Sequence, residues 1–304
     1  MKKILITGGC GFLGTNVFDY LKLNSPNILV DILDKIPFEK ACKKVTGLNE
    51  SQYIHHDLQH IDGLKNLLAP YDVVIHLAAT SDTRASLKDR KIDLENSVYI
   101  AWNLVLAMQE IDTHQRLIFA SSQHVYGSSS NELETNKEPN QLTPVSFYGA
   151  GKVSAEAIMR VASECDSVEV IVMRLTNIVG RHQNFGVLPD FIKKLEIDRN
   201  TLHVLGNGAA KRNFVHVDDL CHAIEHLIDL RLTSRFEVFN TSSEGLLSIN
   251  RVAEIVLEEL NLHNTSIKFS SKKPTGWAGD PGSIQSNSEK LIKTGWSPKY
   301  EIGR

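Results

Sequence analysis

The feature that most constrains the fold is a series of short apolar runs separated by longer amphipathic segments. Several runs are apolar at every position, a pattern typical of strands buried on both faces of a parallel sheet. The predicted strands are Ile4 to Ile6, Ile28 to Leu33, Val73 to Ile75, Leu117 to Phe119, Val168 to Met173 and Glu237 to Phe239. Predicted helices between them include Leu13 to Leu23, Leu94 to Glu110 and Tyr148 to Glu164. This alternation predicts an α/β fold with a doubly wound parallel sheet.

The alternation weakens after Gly180. Residues 181–212 hold one predicted helix, Leu188 to Leu195, and residues 244–304 hold another, Ile249 to Leu260, with Ser248 as its N-cap. We predict that residues 1–180, with about 213–243, form the main domain. The segments 181–212 and 244–304 are predicted to form a smaller substrate-binding lobe over the C-terminal edge of the sheet, where such folds bind ligands.

Composition excludes several classes of function. The chain has 304 residues, 42% of them hydrophobic, and a formal net charge of −3 with no long basic block, so nucleic-acid and membrane-surface binding have no electrostatic support. No apolar stretch approaches the roughly 18 residues of a membrane span. The four cysteines form no CxxC pair or metal-ligand cluster, which indicates reduced thiols in the cytoplasm and no bound metal.

A glycine-rich loop, TGGCGFLG, follows the first predicted strand. Gly8, Gly11 and Gly14 are spaced so that a tight turn leads into a helix, whose N-terminus can receive a pyrophosphate. Asp34 ends the second strand, 20 residues past Gly14, where an acid would hold an adenosine ribose diol. An acid there repels a 2′-phosphate, so NAD is favoured over NADP, although Lys35 next to it weakens the preference. A glycine turn with a surface aspartate is the plain alternative.

Tyr148 and Lys152 lie four residues apart in YGAGK and therefore share one face of a predicted helix. A lysine ammonium beside a phenol favours the phenolate and is expected to lower the pKa of the tyrosine. Such a tyrosine can take a proton from a sugar hydroxyl. Ser122, at the end of a predicted strand in ASSQHVYG, supplies a hydroxyl for the reacting oxygen. Taken alone, a Tyr-x-x-x-Lys pair is more often a solvated helix face.

Together these motifs resemble the extended short-chain dehydrogenase/reductase family, in its nucleotide-sugar epimerase/dehydratase branch. The likeness covers nearly the whole chain and includes HLAA, SSQHVYG, YGAGK, RLTNIVG, LGNGAAKRNFVHVDDL and TGWSPKY. It implies a Rossmann-type domain, NAD(P), a nucleoside-diphosphate sugar substrate and a homodimer. It assigns Ser122, Tyr148 and Lys152 to catalysis. The predicted cofactor contacts are Gly8, Gly11, Phe12, Leu13, Gly14, Asp34, Leu77, Ala78, Ala79, Tyr148 and Lys152. Asp57 and Leu58, after the likely third strand, could flank the adenine, or Asp57 could be an ordinary loop residue.

The resemblance also places Asn177 and Arg212 on the substrate phosphates, and either residue could instead be an ordinary loop residue. Dehydratases of this branch carry an acid where Gln123 and His124 stand, and glutamine has no ionisable proton, which argues against a 4,6-dehydratase. His124 could bind the sugar, act as a second acid or base, or cap its loop. Trp277 replaces a common substrate-binding arginine and could stack on a base or sugar. Ser97 replaces a common asparagine.

These observations favour an NAD-dependent nucleotide-sugar epimerase, most like a 4-epimerase, that acts through a transient keto-sugar. A 4-keto-sugar reductase or a sugar dehydrogenase on the same scaffold is the first alternative. A catalytically silent NAD-binding protein is the second, and the presence of both Tyr148 and Lys152 argues against it.

Overall fold

A computed structural model describes residues 1–127, 142–165 and 168–301. Its centre is a seven-stranded sheet in which every described pairing is parallel. In spatial order the strands are β11 (Phe236–Thr241), β6 (Val168–Leu175), β5 (Gln115–Ser122), β4 (Val73–His76), β1 (Lys2–Thr7), β2 (Ile28–Asp34) and β3 (Tyr53–His55). The predicted doubly wound, Rossmann-type sheet is confirmed, and each predicted apolar run lies in one of its strands.

Both faces of the sheet are covered by helices. In the described residues the α-helices are α1 (Phe12–Asn24), α2 (Phe38–Ala41), α3 (Leu64–Leu68), α4 (Ile100–Gln109), α5 (Phe147–Cys165), α6 (Val187–Ile197), α7 (Val217–Asp229), α8 (Ile249–Glu259) and α9 (Glu289–Ile292). Of these, α6 and α8 pack in a separate, smaller core. In β1, Ile4 and Ile6 enter one core cluster while Leu5 enters the opposite one, and all three are fully buried. Burial on both faces explains why these strands are apolar at every position.

The strand order reverses beside β1. The chain runs outward through β2 and β3, then crosses to β4 on the other side of β1. The loops that leave β1 and β4 therefore diverge and open a crevice at the C-terminal ends of the strands, the usual ligand site of such sheets.

The predicted helix from Leu94 to Glu110 differs from the expectation in its first part. Residues Leu94–Tyr99 form a π-helix, and the regular α-helix begins only at Ile100. A π-helical turn accommodates one extra residue and is found mostly at functional sites. Hydrophobic periodicity could not distinguish this turn from an ordinary helical one.

A smaller core lies apart from the two clusters that cover the sheet. It joins α6 and α8 to short strands, β8 (Thr201–Val204) with β13 (Ser266–Phe269) and β9 (Lys211–Arg212) with β12 (Leu247–Ser248). Ser248 caps α8 as predicted, since its Oγ accepts a hydrogen bond from Arg251 N–H at 3.1 Å. A third short pair joins β7 (Asn177–Val179) to β10 (Phe214–His216). We propose this core as the centre of the predicted second lobe.

The segment after this lobe returns to the main sheet. Ser288 Oγ donates a hydrogen bond to Ser242 O at 2.6 Å, just past the end of β11. Leu291 and Trp296 are buried in the main core cluster. We therefore propose that the second lobe ends before this segment rather than continuing to residue 304.

None of the helices in the described ranges is long and apolar enough to span a bilayer. Within the same residues, no group of His, Cys, Asp or Glu side chains is arranged to hold a metal ion.

Two neighbouring residues of α9 test the docking of this returning segment. Leu291 is fully buried, whereas Ile292 is 42% exposed. We expect Leu291→Ala to lower the free energy of unfolding by about 2–5 kcal/mol, because it leaves a cavity in the core. The matched Ile292→Ala change should cost less than about 1 kcal/mol. Urea denaturation measures both, and equal effects would contradict the docked position.

Candidate active site

The glycine-rich loop joins β1 to α1 in a turn that leaves no space for side chains. Gly8 has a φ of +68°, and a Cβ added to it would lie 2.6 Å from Ala78 Cα. A Cβ on Gly14 would lie 2.5 Å from the Gly8 carbonyl oxygen. At the N-terminus of α1, Gly8 and Gly14 therefore leave the loop backbone uncovered by side chains. A dinucleotide pyrophosphate requires such an exposed backbone in order to approach the helix N-terminus.

Asp34 lies at the end of β2 and is fixed beside this loop. Its Oδ2 accepts a hydrogen bond from Cys10 N–H at 3.0 Å. Lys35 points away from the carboxylate, because its Nζ donates to Asn96 Oδ1 at 3.4 Å. The carboxylate thus borders the loop where the predicted ribose contact requires it, and Lys35 does not pair with it.

A single cleft of about 950 Å³ runs from the glycine loop to the second lobe. It brings together every residue that the sequence predicted for the site, although their individual roles remain predictions. The lining includes Gly8, Gly11, Phe12, Leu13, Gly14, Asp34, Asp57, Leu58, Leu77, Ala78, Ala79, Ser122, Gln123, His124, Tyr148, Lys152, Asn177, Arg212 and Trp277.

The predicted catalytic hydroxyls meet at the carboxyl end of β5. Ser122 is the last residue of that strand and is 6% exposed. Tyr148 lies in the first turn of α5, close enough for the Ser122 hydroxyl to lower the pKa of its phenol. The His124 ring packs edge-on against the Tyr148 ring at a centroid distance of 5.4 Å. A substrate hydroxyl placed here would contact both Ser122 and Tyr148.

Lys152 lies one helical turn after Tyr148 and is only 3% exposed. Its Nζ donates a hydrogen bond to the Ala120 carbonyl at 2.7 Å and lies 5.9 Å from the centre of the Tyr148 ring. Burial lowers the pKa of Lys152 to about 8, while the charges of Glu156 and Asp93 oppose this shift. The ammonium is therefore held beside the phenol by a bond from α5 to β5.

The expected lowering of the Tyr148 pKa is wrong for the polypeptide alone. Burial raises the pKa of Tyr148 to about 12, the hydrogen bond from Ser122 lowers it, and the charge of Asp93 raises it further. Desolvation is the largest of these effects, and Lys152, which directs its Nζ at the Ala120 carbonyl, is not among the groups that shift this pKa. Tyr148 is thus a protonated phenol at neutral pH until further positive charge reaches the site.

His124 lines the cleft and carries no charge at neutral pH. Burial lowers its pKa to about 4, and the nearby Arg212 guanidinium adds to this effect. Its backbone N–H donates to Ser122 Oγ at 3.2 Å, and its ring Nδ1 lies 3.1 Å from the same oxygen. The Ser122 side chain is therefore the N-cap of the turn, and the His124 ring remains at the site.

Gln123 is 2% exposed, and its Oε1 accepts a hydrogen bond from Thr176 Oγ1 at 3.1 Å. Asn177 donates its Nδ2 to the Asn213 carbonyl at 3.0 Å. Both side chains line the cleft but are already hydrogen-bonded within the protein, so the positions of their polar groups are fixed in advance.

Arg212 borders the cleft from β9 and is paired with a carboxylate that the sequence analysis did not single out. Its Nη2 donates to Asp280 Oδ1 at 2.7 Å, and both side chains are largely buried. Asp280 also accepts hydrogen bonds from the N–H groups of Gly276 and Gly282. Asp280 lies three residues after Trp277 in GWAGDP, but only the folded chain brings it to Arg212.

Residues 4–240 match the family described as the NAD dependent epimerase/dehydratase family. Over 309 residues the chain is 26% identical to a trifunctional UDP-glucose 4,6-dehydratase/UDP-4-keto-6-deoxy-D-glucose 3,5-epimerase/UDP-4-keto-L-rhamnose-reductase of Arabidopsis thaliana. The match covers 98% of this chain but 45% of that protein, so the chain spans less than half the length of this relative.

Two solved structures share the fold. The dTDP-glucose 4,6-dehydratase DesIV of Streptomyces venezuelae, with NAD and TYD bound, is 23% identical with a TM-score of 0.86, covering 99% of this chain and 93% of that one. The UDP-N-acetylglucosamine 4-epimerase of Methanobrevibacter ruminantium M1, in complex with UDP-N-acetylmuramic acid, is 25% identical with a TM-score of 0.83, covering 98% and 93%.

The predicted resemblance to the extended short-chain dehydrogenase/reductase proteins is confirmed, and so is NAD as the cofactor on which the matched family depends. The bare glycine loop and the fixed carboxylate of Asp34 fit that cofactor. The chain therefore belongs to the NAD dependent epimerase/dehydratase family.

Proposed function

We propose that this protein is an NAD-dependent nucleotide-sugar epimerase, most like a 4-epimerase, that acts through a transient keto-sugar. The observation that carries the proposal is the Ser122, Tyr148 and Lys152 set beside Gln123 and an uncharged His124. Such a set can move a proton on and off one sugar hydroxyl and offers no acid from Gln123 or His124 for a neighbouring carbon.

Each residue of the site would have a separate role in this reaction. Bound NAD would supply a hydride acceptor and a positive charge. Tyr148 holds and returns the proton of the reacting hydroxyl, while Ser122 hydrogen-bonds the same oxygen. Lys152 holds an ammonium 5.9 Å from the centre of the Tyr148 ring, and the positive charge of bound NAD would add to it in favouring the phenolate. Arg212, which Asp280 orients, would hold the substrate diphosphate.

Two neighbours of Ser122 argue against dehydration. Elimination of water from the sugar needs an acid that protonates the leaving hydroxyl. Gln123 has no ionisable proton, and its amide oxygen is bonded to Thr176. His124, with a pKa of about 4, holds no extra proton at neutral pH. The family contains both reaction types, and these two side chains favour the epimerase.

A 4-keto-sugar reductase or a sugar dehydrogenase would use the same three catalytic residues. The two classes differ in what happens to the cofactor, because an epimerase regenerates NAD in each cycle while a reductase or dehydrogenase exchanges it. A silent NAD-binding protein would not need Lys152 buried beside Tyr148, since burial of an ammonium is costly.

The deciding experiment incubates the purified protein with UDP-, dTDP-, GDP- and CDP-sugars and identifies the products. The expected result is an equilibrium mixture of two epimers, without added cofactor and with NAD co-purifying with the protein. A 4-keto-6-deoxy product would overturn the proposal in favour of a dehydratase. Turnover only with stoichiometric NADH or NADPH would identify a reductase.

We also propose that the protein acts in the cytoplasm as a homodimer. All four cysteines are free thiols, which fits a reducing compartment. The proposed dimer face is the outer side of α4, α5 and the π-helix, defined by Tyr99, Trp102, Phe147 and Val161, each more than half exposed. On α5 the exposed residues between Phe147 and Val161 are Ala150, Ser154, Ala157 and Arg160, and the first three are small enough for a second copy of the pair to pack closely.

Tyr148→Phe tests the catalytic assignment. We expect turnover to fall by at least about 10²-fold, because only the proton-carrying oxygen is removed. NAD affinity, measured by calorimetry, and the melting temperature should change little. Tyr71→Phe is the control, since it removes a phenol oxygen that bonds Asp31 away from the cleft. Near-normal turnover of Tyr148→Phe would contradict the assignment.

His124→Asn tests how the uncharged imidazole acts. Because His124 has no spare proton at neutral pH, we expect KM for the nucleotide sugar to rise several-fold with kcat little changed. Steady-state kinetics and a melting curve give the result. A loss of about 10²-fold in kcat would instead indicate an acid or base. A lower melting temperature with unchanged kinetics would indicate a loop cap alone.

Trp102→Glu tests the dimer face. A carboxylate in the middle of an apolar contact must be desolvated, so we expect the variant to be monomeric at concentrations where the unmodified protein is dimeric. Size-exclusion chromatography with light scattering measures this. Leu23→Glu, at a position 78% exposed on α1, is the control and should leave the dimer intact. A dimeric Trp102→Glu protein would rule out this face.

A further inference from the structure

Asp93 is a buried carboxylate that the proposed reaction does not use. It is 2% exposed and directly precedes the π-helix. In the part of the chain that the structure describes, neither of its carboxylate oxygens has a hydrogen-bond partner, and neither does the Oγ of buried Ser97. An isolated buried carboxylate is costly, so its presence calls for a compensating charge nearby.

Asp93 packs against the helix that carries the catalytic pair, at the residue just before Lys152. A Cβ added to Gly151 would lie 3.3 Å from the Asp93 carbonyl oxygen and 3.4 Å from Ser97 Cβ. Glycine at position 151 therefore lets the π-helical segment approach α5 closely. The start of the π-helix, including the Asp93 backbone and Cβ, therefore lies against α5 at the residue before Lys152.

The groups that face Asp93 are few. Burial raises the pKa of Asp93, and the nearby hydroxyls of Ser86 and Thr80 lower it, although neither makes a hydrogen bond of normal geometry to the carboxylate. The charge of Lys152 also lowers this pKa, and the charge of Asp82 raises it. The Thr80 hydroxyl is directed elsewhere, since it donates to the Ile92 carbonyl at 3.3 Å. Of the groups that shift the pKa of Asp93, Lys152 is thus the one that carries a positive charge.

Lys152 in turn lacks a dedicated counter-charge unless Asp93 supplies it. Its hydrogen bond goes to a neutral carbonyl, that of Ala120. Glu156, the other carboxylate that acts on it, is bound by Arg174 through both of its oxygens, at 2.7 and 3.1 Å. The charge of Glu156 is therefore largely neutralised by Arg174, whereas the charge of Asp93 is not compensated by any other described cation.

We propose that Asp93 is a positioning residue of the active site: it is the counter-charge of Lys152 and sets the pH range in which Lys152 and Tyr148 work. This inference rests on the proposed function for its effect on catalysis. The pairing of Asp93 with Lys152 is a property of the polypeptide and can be measured without any substrate.

The direction of the effect follows from the sign of the charge. Removing the negative charge of Asp93 favours the uncharged amine of Lys152 and the phenolate of Tyr148, so the pKa of each group falls. The loss of activity at low pH, set by Tyr148, and the loss at high pH, set by Lys152, both move to lower pH. We expect a shift of about half a unit to one unit, the size of one charge interaction in a partly polar interior.

The test follows the ε-carbon of Lys152 by NMR in protein labelled with [ε-13C]lysine, the signal being assigned by its loss in Lys152→Ala. In the unmodified protein the pKa should be near 8, and in Asp93→Asn it should be lower by about half a unit to one unit. Asp93→Glu, which keeps the charge, should restore most of the value. Asp219→Asn is the matched control, because Asp219 is also 2% exposed but bonds Lys299 and Tyr300 away from the cleft.

A reciprocal measurement covers the case in which Asp93→Asn does not fold. In protein labelled with [γ-13C]aspartate, Lys152→Ala should raise the pKa of Asp93, since each group must shift the other equally. An unchanged Lys152 titration in folded Asp93→Asn, or an unchanged Asp93 titration in Lys152→Ala, would overturn the proposal. If an active sugar is found, the pH profile of kcat/KM must move with Asp93→Asn and not with Asp219→Asn. If no epimerase activity is found, both titrations can still be measured. Failure of the proposed function is therefore distinguishable from failure of the proposed role of Asp93.

Discussion

The parallel pairing of the strands is the constraint from which the site follows. The strands of the central sheet are parallel, so their carboxyl ends lie at one edge of the sheet. The residues at or just after the end of each strand therefore lie at that edge. The glycine loop follows β1, Asp34 is the last residue of β2, and Ser122 is the last residue of β5. Helix α5 completes the set, because the bond from Lys152 to the Ala120 carbonyl fixes the helix against β5.

Burial of charge is the second theme of the structure. Arg174 with Glu156 and Arg212 with Asp280 are closely paired, as low-dielectric surroundings require. Lys152 and Asp93 differ, because each is buried without a direct ionic contact. If they form the proposed pair, their separation would leave the titration of each group sensitive to further charge, such as that of bound NAD.

Much of the fold and of the candidate site could be predicted from the sequence, because the patterns that indicate them are local. Apolar runs predicted the strands, and the spacing of Tyr148 and Lys152 placed them on one helix face. The missed features depend on contacts between distant segments. Asp280 lies 68 residues from Arg212, and Asp93 in its helical context looks like an ordinary surface acid. The pKa of Tyr148 was misjudged because desolvation depends on the whole surrounding fold, whereas the nearby ammonium is visible in the sequence.

The returning C-terminal segment has a mechanical consequence. The chain leaves the main domain for the second lobe after β7, comes back through β10, leaves again after β11, and returns once more where Leu291 and Trp296 enter the main core. If these segments form the proposed second lobe, four chain crossings join it to the main domain. Movement of this lobe would then require backbone changes at all four crossings together, which restricts it more than a single linker would.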